Sequence, residues 1–358
     1  MMKSFLATAT AAALALGSFV GAAQAEDPLK VGFVYVGPIG DHGWTYRHDL
    51  GRQAIEEAFG DQVETTYVES VSEGPDAVRV IRQLAASGHG LIFTTSFGFM
   101  DPTIEVAEQF PDVKFEHATG YKRADNVSTY SARFYEGRYI LGRIAGQMTE
   151  AKKIGYIGSV PIPEVVRGIN AFTLGLQREV PDASVSVVWV NSWYDPAKEA
   201  DAAKALIAQG ADILVQHTDS PAALQVSQTE GIKAFGQASD MNQFAPDTQM
   251  TAIVDNWDAY YVDRTQAVLD GTWESTDTWD GIDPGMVYMA PYTNMPYEVA
   301  AMAKAQEEAI RLGRFDIFTG PISDRDGNLQ IPEGETADDG MLLGMNWFVP
   351  GVEGDLPK

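Results

Sequence analysis

The chain has 358 residues, of which 25 are Lys or Arg and 50 are Asp or Glu, so its formal charge at pH 7 is −25. Negative charge of this size repels phosphate backbones and anionic lipid, so we expect no nucleic-acid partner and no binding to membrane surfaces. The absence of cysteine excludes disulfides, thiolate zinc sites and cysteine nucleophiles, and five histidines leave little for a multi-histidine metal centre.

The composition is that of an ordinary globular protein. Apolar residues make up 45% of the chain and charged residues 21%, and the length is sufficient for two domains. We therefore expect a soluble two-domain protein, and we predict no metal and no cofactor.

The N-terminus has the pattern of a secretory signal. Lys3 supplies a positive start, an Ala- and Leu-rich apolar run follows, and Ala23-Gln24-Ala25 is a small-x-small cleavage pattern. A membrane anchor is the alternative, but the run is short and Glu26 follows it directly. We predict a signal peptide over residues 1–25, cleaved after Ala25. Because no cysteine follows to carry a lipid, we predict a free periplasmic protein with no direct membrane anchor.

Beyond the signal, β-rich runs alternate with helical ones, a pattern typical of βαβ units and parallel sheets. The predicted elements of the first half are strands at Leu29–Val36, Val63–Val71, Leu91–Ser96, Val113–Thr119 and Val127–Ala132, and helices carrying Leu50 to Phe59, from Pro75, and over Pro102–Phe110.

A helix predicted over Tyr135–Glu150 marks the change of domain. It contains Gly137, Gly142 and Gly146, each of which costs a helix about 1 kcal/mol relative to Ala. Three such residues in one helix predict a close backbone contact with a neighbour.

The alternation then restarts. The predicted elements are strands at Lys153–Val160, Ser184–Ser192, Ile213–His217, Ile232–Ser239, Gln249–Asn256 and Gly285–Ala290, helices at Pro163–Glu179, Pro196–Gln209, Pro221–Glu230, Ala259–Leu269 and Tyr297–Leu312, and a hairpin at Asp326-Gly327. The pattern predicts an α/β fold of two doubly wound parallel-sheet lobes joined by crossing strands. We assign residues 26–132 and about 256–282 to the N-terminal lobe, and residues 133–255 and about 283–358 to the C-terminal lobe.

Ligands of open α/β sheets bind outside the carboxyl ends of the strands. Aromatic and acidic residues recur at those positions in both halves, in the segments 37–44, 95–99, 192–195, 217–219, 239–242 and 255–257. Rings that stack on a flat ligand, together with aspartates that accept its hydrogen bonds, suit a neutral ligand rich in N–H donors. A purine meets this description and a phosphate does not. Trp44 and Trp193 could also be half-buried core aromatics, and Asp240 could be a local cap.

Sequence signatures of catalysis are absent. The chain has no Gly-x-Ser-x-Gly elbow, no Walker A loop and no Gly-x-Gly-x-x-Gly after the first strand. We therefore expect a binding protein and not an enzyme. The alternatives left open are an extracellular nucleoside-processing enzyme, against which the lack of an Asp-rich calcium-binding motif speaks, and a ligand-sensing partner of a membrane receptor.

Several segments resemble the basic membrane protein family, the purine-nucleoside-receptor-like substrate-binding proteins of ABC transporters. The resemblance covers the chain after the signal, and its segments are KVGFV (30–34), GDHGW (40–44), PDVKF (111–115), EGRYILGRIAGQMT (136–149), KIGYIG (153–158), SWYDP (192–196), GQASD (236–240) and GPISDRDG (320–327). It implies the type I periplasmic-binding-protein fold, an ABC permease as partner, a monomer, and a ligand clamped between lobes that close about a hinge.

The resemblance also places residues in the ligand site. Trp44 and Trp193 fall on positions where the family has a stacking Phe, and Asp240 falls on a family acid. The lysine that the family uses to hold ribose is replaced by Asp255. Since an aspartate cannot donate to ribose hydroxyls, the resemblance favours a free base, adenine first, over a nucleoside. A riboflavin-like or other heterocycle is the alternative ligand.

The predicted ligand-binding residues combine both lines of argument. They are Asp41, His42, Trp44, Phe97, Trp193, Asp219, Ser239, Asp240, Asp255 and Asn256. No catalytic residue and no metal ligand is predicted.

Overall fold

The computed structural model describes residues 27–357. The predicted signal peptide and its cleavage site lie outside the described residues. In the first part of the chain the elements are β1 (Leu29–Val34), α1 (Trp44–Phe59), β2 (Val63–Val68), α2 (Pro75–Ala86), β3 (Leu91–Thr94), α3 (Met100–Ala107), β4 (Lys114–Ala118) and β5 (Val127–Ala132).

The middle of the chain continues the alternation. Its elements are α4 (Phe134–Met148), β6 (Lys153–Gly158), α5 (Pro163–Glu179), β7 (Ser184–Trp189), α6 (Pro196–Ala208), β8 (Ile213–His217), α7 (Ala222–Glu230), β9 (Lys233–Gly236) and β10 (Gln249–Asp255). The remaining elements are α8 (Asp258–Leu269), β11 (Asp277–Asp280), β12 (Val287–Met289), α9 (Tyr297–Arg311), β13 (Ile322–Ser323), β14 (Leu329–Ile331), α10 (Asp339–Leu343) and β15 (Val352–Glu353).

Two sheets form two lobes. The first has the order β11-β5-β4-β3-β1-β2, with every neighbouring pair parallel. The second has the order β12-β10-β9-β8-β6-β7-β15, and only β12 runs antiparallel to its neighbour. Strand order reverses beside β1 in one sheet and beside β6 in the other, so the prediction of two doubly wound parallel-sheet lobes is confirmed.

The chain passes between the lobes at three places. These are the β5–α4, β10–α8 and β11–β12 connections, around residues 133, 256–257 and 281–286. The lobes are therefore joined along one side, which leaves the carboxyl ends of both sheets facing each other across a cleft.

The glycines of α4 permit its contact with α5. A Cβ on Gly142 would overlap the carbonyl oxygen of Phe172, and a Cβ on Gly175 of α5 would overlap the carbonyl oxygen of Tyr139. The close backbone contact predicted for α4 is thus confirmed, and it places α4 directly over the second sheet.

Three short elements were not predicted. Strand β11 contains only one apolar residue, Trp279, and its pairing comes from β5. Strand β15 is two residues long and pairs with β7, while α10 has five residues. Such elements are formed by contacts distant in sequence and leave no periodic pattern of their own.

Candidate functional site

A cavity lies between the lobes at the carboxyl ends of the two sheets, and the space between its walls, open solvent at its mouth included, is about 350 Å³. One lobe contributes Val36, Trp44, Ser96, Phe97 and Thr119, and the other contributes Glu164, Trp193, His217, Asp219 and Gln237. Each of these residues follows, ends or lies just beyond a strand, so the strand-end rule locates the cavity. A larger open groove borders it and shares Phe97, Thr119 and Glu164 as walls.

Trp44 is the first residue of α1 and is half-buried in the cavity wall. Its indole N–H donates to the carbonyl oxygen of Thr95 at 2.8 Å, and its ring lies edge-on to the rings of His48 and Trp257. The hydrogen bond and the two aromatic contacts fix the ring plane before any ligand arrives.

Asp41 binds the beginning of α1 and not the cavity. Its buried carboxylate accepts backbone N–H bonds from Gly43, Thr45 and Tyr46 at 2.8–3.0 Å. Burial raises the pKa of Asp41 to about 6, although the three hydrogen bonds favour the charged form. The side chain thus satisfies orphan donors of the helix and holds Trp44 in position.

Trp193 enters the cavity from the opposite lobe. Its indole N–H lies 3.3 Å from a carboxylate oxygen of Glu73, which also accepts from the Ser96 hydroxyl at 2.6 Å and from the Gly98 N–H at 3.0 Å. Glu73 belongs to the N-terminal lobe and Trp193 to the C-terminal lobe, so this contact joins the lobes at the rim of the cavity.

Asp219 presents a carboxyl group to the cavity. The residue is buried, its N–H donates to the carbonyl oxygen of Trp193 at 3.0 Å, and its backbone lies so close to Gly43 that a Cβ there would overlap it. Burial raises the pKa of Asp219 well above its ordinary value, and the charges of Asp41 and Glu199 raise it further. A buried carboxyl of this kind is stabilised by any ligand N–H that donates a hydrogen bond to it.

His217 and Glu164 form the floor beside Asp219. Nε2 of His217 lies 3.5 Å from a carboxylate oxygen of Glu164. Burial lowers the pKa of His217 to about 4, and the charge of Arg138 lowers it further, so the imidazole is neutral at physiological pH.

Gln237 lines the cavity just after β9 and is 4% exposed. Its Oε1 accepts a hydrogen bond from a guanidinium nitrogen of Arg138, a fully buried side chain of α4. Arg138 thereby fixes the oxygen end of the amide, and the nitrogen end faces the cavity.

Asp255, the predicted replacement for the family lysine, is not among the residues that line the cavity. The side chain is fully buried, and neither carboxylate oxygen has a hydrogen-bond partner among the described residues. Burial raises the pKa of Asp255 well above its ordinary value. Its carbonyl oxygen accepts from Nε of Arg47 at 2.5 Å, which ties the end of β10 to α1.

Four other predicted residues also lie outside the cavity walls. Asp240 is exposed, and its carboxylate accepts from the Asn242 N–H at 3.0 Å and from Gln249 Nε2 at 2.7 Å. The Ser239 hydroxyl donates to the carbonyl oxygen of His42, whose ring contacts Phe244.

Asn256 lies at the β10–α8 crossing between the lobes. Its Nδ2 donates to the carbonyl oxygen of Gly285 at 3.0 Å, and its backbone N–H donates to Met286. Its polar groups therefore hold two crossing segments together.

The structure thus brings together Trp44, Phe97, Trp193 and Asp219 of the predicted set. The cavity residues that the set lacked are Val36, Ser96, Thr119, Glu164, His217 and Gln237. Ser96 and His217 lie in the strand-end segments 95–99 and 217–219 that the sequence had already indicated. Strand β9 ends at Gly236 and not at Ser239, so the first residue after it is Gln237. Glu164 lies in the first turn of α5, after the loop that follows β6, at the same edge of the sheet.

Within residues 27–357, no group of three or more His, Cys, Asp or Glu is placed to hold a metal ion. Among the described helices, none combines the length and apolarity needed to cross a bilayer.

Comparisons with known proteins identify the family. The model of the Bmp family, described as ABC transporter substrate-binding protein PnrA-like, matches residues 29–312. A purine-binding protein of Brucella abortus is 61% identical over 98% of this chain and 99% of its own. A putative ABC transporter glucose-binding protein of Haloferax volcanii is 37% identical over 94% of this chain and 84% of its own.

Solved structures give the same fold. A solute-binding protein of an ABC transporter system from Aeropyrum pernix superposes with a TM-score of 0.69 at 18% identity, over 80% of this chain and 92% of its own. The fold of two lobes, the cleft between them and the family match over most of the chain lead to one conclusion: this protein belongs to the Bmp family of PnrA-like substrate-binding proteins of ABC transporters.

Proposed function

We propose that this protein binds a purine, adenine in preference to a nucleoside, and delivers it to the permease of an ABC importer. The observation that carries the proposal is the cavity itself. Three aromatic side chains, Trp44, Phe97 and Trp193, share its walls with the carboxyl groups of Asp219 and Glu164. Aromatic faces and carboxyl acceptors suit a flat ring system with N–H donors at its edge.

Adenine offers matching chemistry at each of its edges, because a ring nitrogen acceptor lies next to an N–H donor. Asp219 can accept from such a donor, and the two tryptophans come from different lobes, so one ring can contact both. The similar protein of Brucella abortus, named a purine-binding protein, supports a purine as the ligand.

The preference for a base over a nucleoside rests on the polar groups of the cavity. No lysine or arginine lies among its lining residues, and the buried Asp255 is not one of them either. Ribose would have few donors for its hydroxyl groups here.

Binding on this proposal is coupled to closure of the lobes. A ligand that contacts both walls stabilises the closed form by its differential affinity for that form. The proposed partners are the small-molecule purine and the membrane permease, with the protein acting as a periplasmic monomer and not as an enzyme.

Isothermal titration of ligand-free protein with adenine, adenosine, hypoxanthine and glucose tests the proposal. We expect one adenine per chain and affinity at least tenfold weaker for adenosine, with no heat from glucose. Tighter binding of glucose than of adenine contradicts the purine ligand.

Chromatography of protein incubated with adenosine decides the alternative of a nucleoside-processing enzyme, since released base shows hydrolysis. Light scattering during gel filtration tests the monomer.

A further inference from the structure

We propose that the side-chain amide N–H of Gln237 donates a hydrogen bond to a ring nitrogen of the bound purine. We further propose that Arg138 is the positioning residue that sets the direction of the Gln237 amide. The inference rests on the proposed function and deepens it. It names the residue that selects for an acceptor at one place in the ligand.

The direction of the Gln237 amide follows from its partner. The oxygen and nitrogen ends of a glutamine amide have nearly the same shape, so a hydrogen-bond partner must decide between them. Arg138 donates to Gln237 and has no acceptor atom to offer. The end that faces Arg138 is therefore Oε1, and the end that faces away is the NH₂ group.

Arg138 is itself held in place. It is fully buried on α4, and its second terminal nitrogen donates to the carbonyl oxygen of Gln216 at 2.9 Å. Its guanidinium carbon lies 5.7 Å from the centre of the Tyr156 ring. Because the backbone of β8 and an aromatic ring fix the guanidinium, the Gln237 amide cannot turn over without losing its partner.

The NH₂ group of Gln237 is available to a ligand. The residue is 4% exposed and lines the cavity, and no described residue accepts a hydrogen bond from Nε2. A donor in a site this enclosed is costly to leave unpaired, so a ligand that presents an acceptor there gains affinity over one that does not.

The neighbouring wall groups make this donor distinctive. Asp219 and Glu164 present carboxyl oxygens, and the imidazole of His217 lies beside Glu164. The cavity therefore contains one fixed donor, the NH₂ group of Gln237, together with carboxyl acceptors. A donor and an acceptor match a ligand in which a ring nitrogen is adjacent to an N–H, as in adenine.

Titration of adenine and its 1-deaza, 3-deaza and 7-deaza analogues tests the assignment. Each analogue replaces one ring nitrogen acceptor by C–H. For the wild-type protein we expect a loss of tenfold or more for one analogue and smaller losses for the other two. That analogue identifies the nitrogen that accepts from Gln237.

Two variants separate the donor from the shape of the side chain. Gln237→Glu keeps the length and the contact with Arg138 but presents an oxygen to the cavity, whereas Gln237→Met removes both polar ends. We expect both variants to bind adenine at least tenfold more weakly. In Gln237→Met the loss specific to one analogue should disappear. This variant also leaves a guanidinium N–H of the buried Arg138 without its acceptor, so we expect a lower melting temperature, and Gln237→Glu, which keeps that contact, controls for folding.

The role of Arg138 has its own readout. Arg138→Met should weaken adenine binding in the wild-type background and have little further effect in the Gln237→Met background, because no amide remains to be oriented. Arg138→Lys, which keeps the charge and one donor, should restore part of the binding and serves if the Met variant does not fold.

The outcomes are distinguishable. If the wild-type protein binds adenine but Gln237→Met and Gln237→Glu keep the same affinities for all four ligands, this inference is overturned and the proposed function stands. An equal loss on Arg138→Met with and without Gln237 overturns the positioning role alone. Failure of the wild-type protein to bind adenine overturns the purine ligand and, with it, the assignment to Gln237.

Discussion

The role of each aspartate near the cleft depends on which N–H groups reach its carboxyl. Asp41 is saturated by three backbone donors of α1, and Asp240 by the Asn242 backbone and the Gln249 side chain. Asp219 is buried, with its pKa raised, and it lines the cavity, where the backbone N–H of Trp44 also donates to its carboxyl. Fewer protein donors reach this carboxyl than reach those of Asp41 and Asp240, so we infer that Asp219 is the aspartate that serves a ligand.

Replacing Asp219 should separate affinity from stability. Asp219→Ala removes the cavity acceptor, so we expect adenine affinity to fall at least tenfold. The same change removes a buried carboxyl near Asp41 and Glu199, so the unfolding temperature at pH 7.5 should equal or exceed that of the wild type. Calorimetry measures both quantities. Asp240→Ala is the control, with affinity expected within twofold of the wild type; the reverse result would restore Asp240 as the ligand acid.

Removing the Trp193 ring should weaken binding through lost stacking. Base–aromatic stacking is worth about 1–3 kcal/mol, so Trp193→Ala should raise the Kd for adenine about ten- to a hundredfold. Trp193→Phe keeps a ring and should retain most of the affinity. Trp189→Ala removes a tryptophan whose N–H bonds to Asp355, outside the cavity, and should leave the Kd unchanged. Equal losses at both tryptophans would argue against stacking at Trp193.

Sequence patterns located the edge of the sheets but not the direction of every side chain there. The strand-end rule led to Trp44, Phe97, Trp193 and Asp219, which line the cavity. It could not distinguish Asp255, which is fully buried and does not line the cavity. That distinction depends on packing between α1, α4 and β10, which no local pattern encodes.

At the scale of elements, Glu136 links α4 to the hinge. Its carboxylate accepts from the N–H of Ile282 at 2.7 Å, in the β11–β12 crossing, and a Cβ on Gly281 would overlap that carboxylate. Burial raises the pKa of Glu136 to about 7; the Ile282 N–H and Arg133 oppose the shift, and Asp283 adds to it. The folded protein therefore holds a proton here that the unfolded chain releases at lower pH.

This proton predicts a pH dependence of stability. Because the folded pKa of about 7 exceeds the ordinary value of 4.5, the folded state binds more protons between these values, and stability falls as pH rises through them. Glu136→Gln keeps an acceptor but cannot titrate. We expect the free energy of unfolding of the wild type, relative to Glu136→Gln, to fall by about 3 kcal/mol between pH 4.5 and 7.5. Urea titrations at four pH values measure it; a constant difference contradicts the assignment.

Elements with an apolar repeat of their own were predicted close to their observed bounds. Helix α5 and strands β5 and β8 begin and end at the predicted residues. Strands β11 and β15 are formed by pairing with β5 and β7, so their sequences alone give no such signal.

At the scale of the whole molecule, polar contacts hold the lobes together around the cavity. Glu73 meets Trp193 at the rim, and Ser239 donates to the carbonyl oxygen of His42. At the β5–α4 crossing Arg133 forms a bidentate pair with Asp339 at 2.8–2.9 Å. Asp339 lies beyond residue 312, where the family match ends, so the C-terminal segment contacts this crossing from outside the matched region.

Loss of the rim contact should favour separated lobes. Glu73→Ala removes the partner of the Trp193 N–H, and we expect a larger radius of gyration in the ligand-free protein and a Kd for adenine raised several-fold. Small-angle scattering and titration measure the two effects. Glu105→Ala removes an exposed ion pair with Arg82 within one lobe and is the control. An unchanged radius and Kd in Glu73→Ala would show that the rim contact does not hold the lobes.

The enclosure of the cavity by both lobes also sets a time scale. A bound molecule whose walls come from two bodies can leave only while those bodies are apart, so its residence time has a lower bound set by how often the lobes separate. Because a ligand that contacts both walls also stabilises the closed form, the lobes should separate less often around a tightly bound ligand, and such a ligand should leave more slowly.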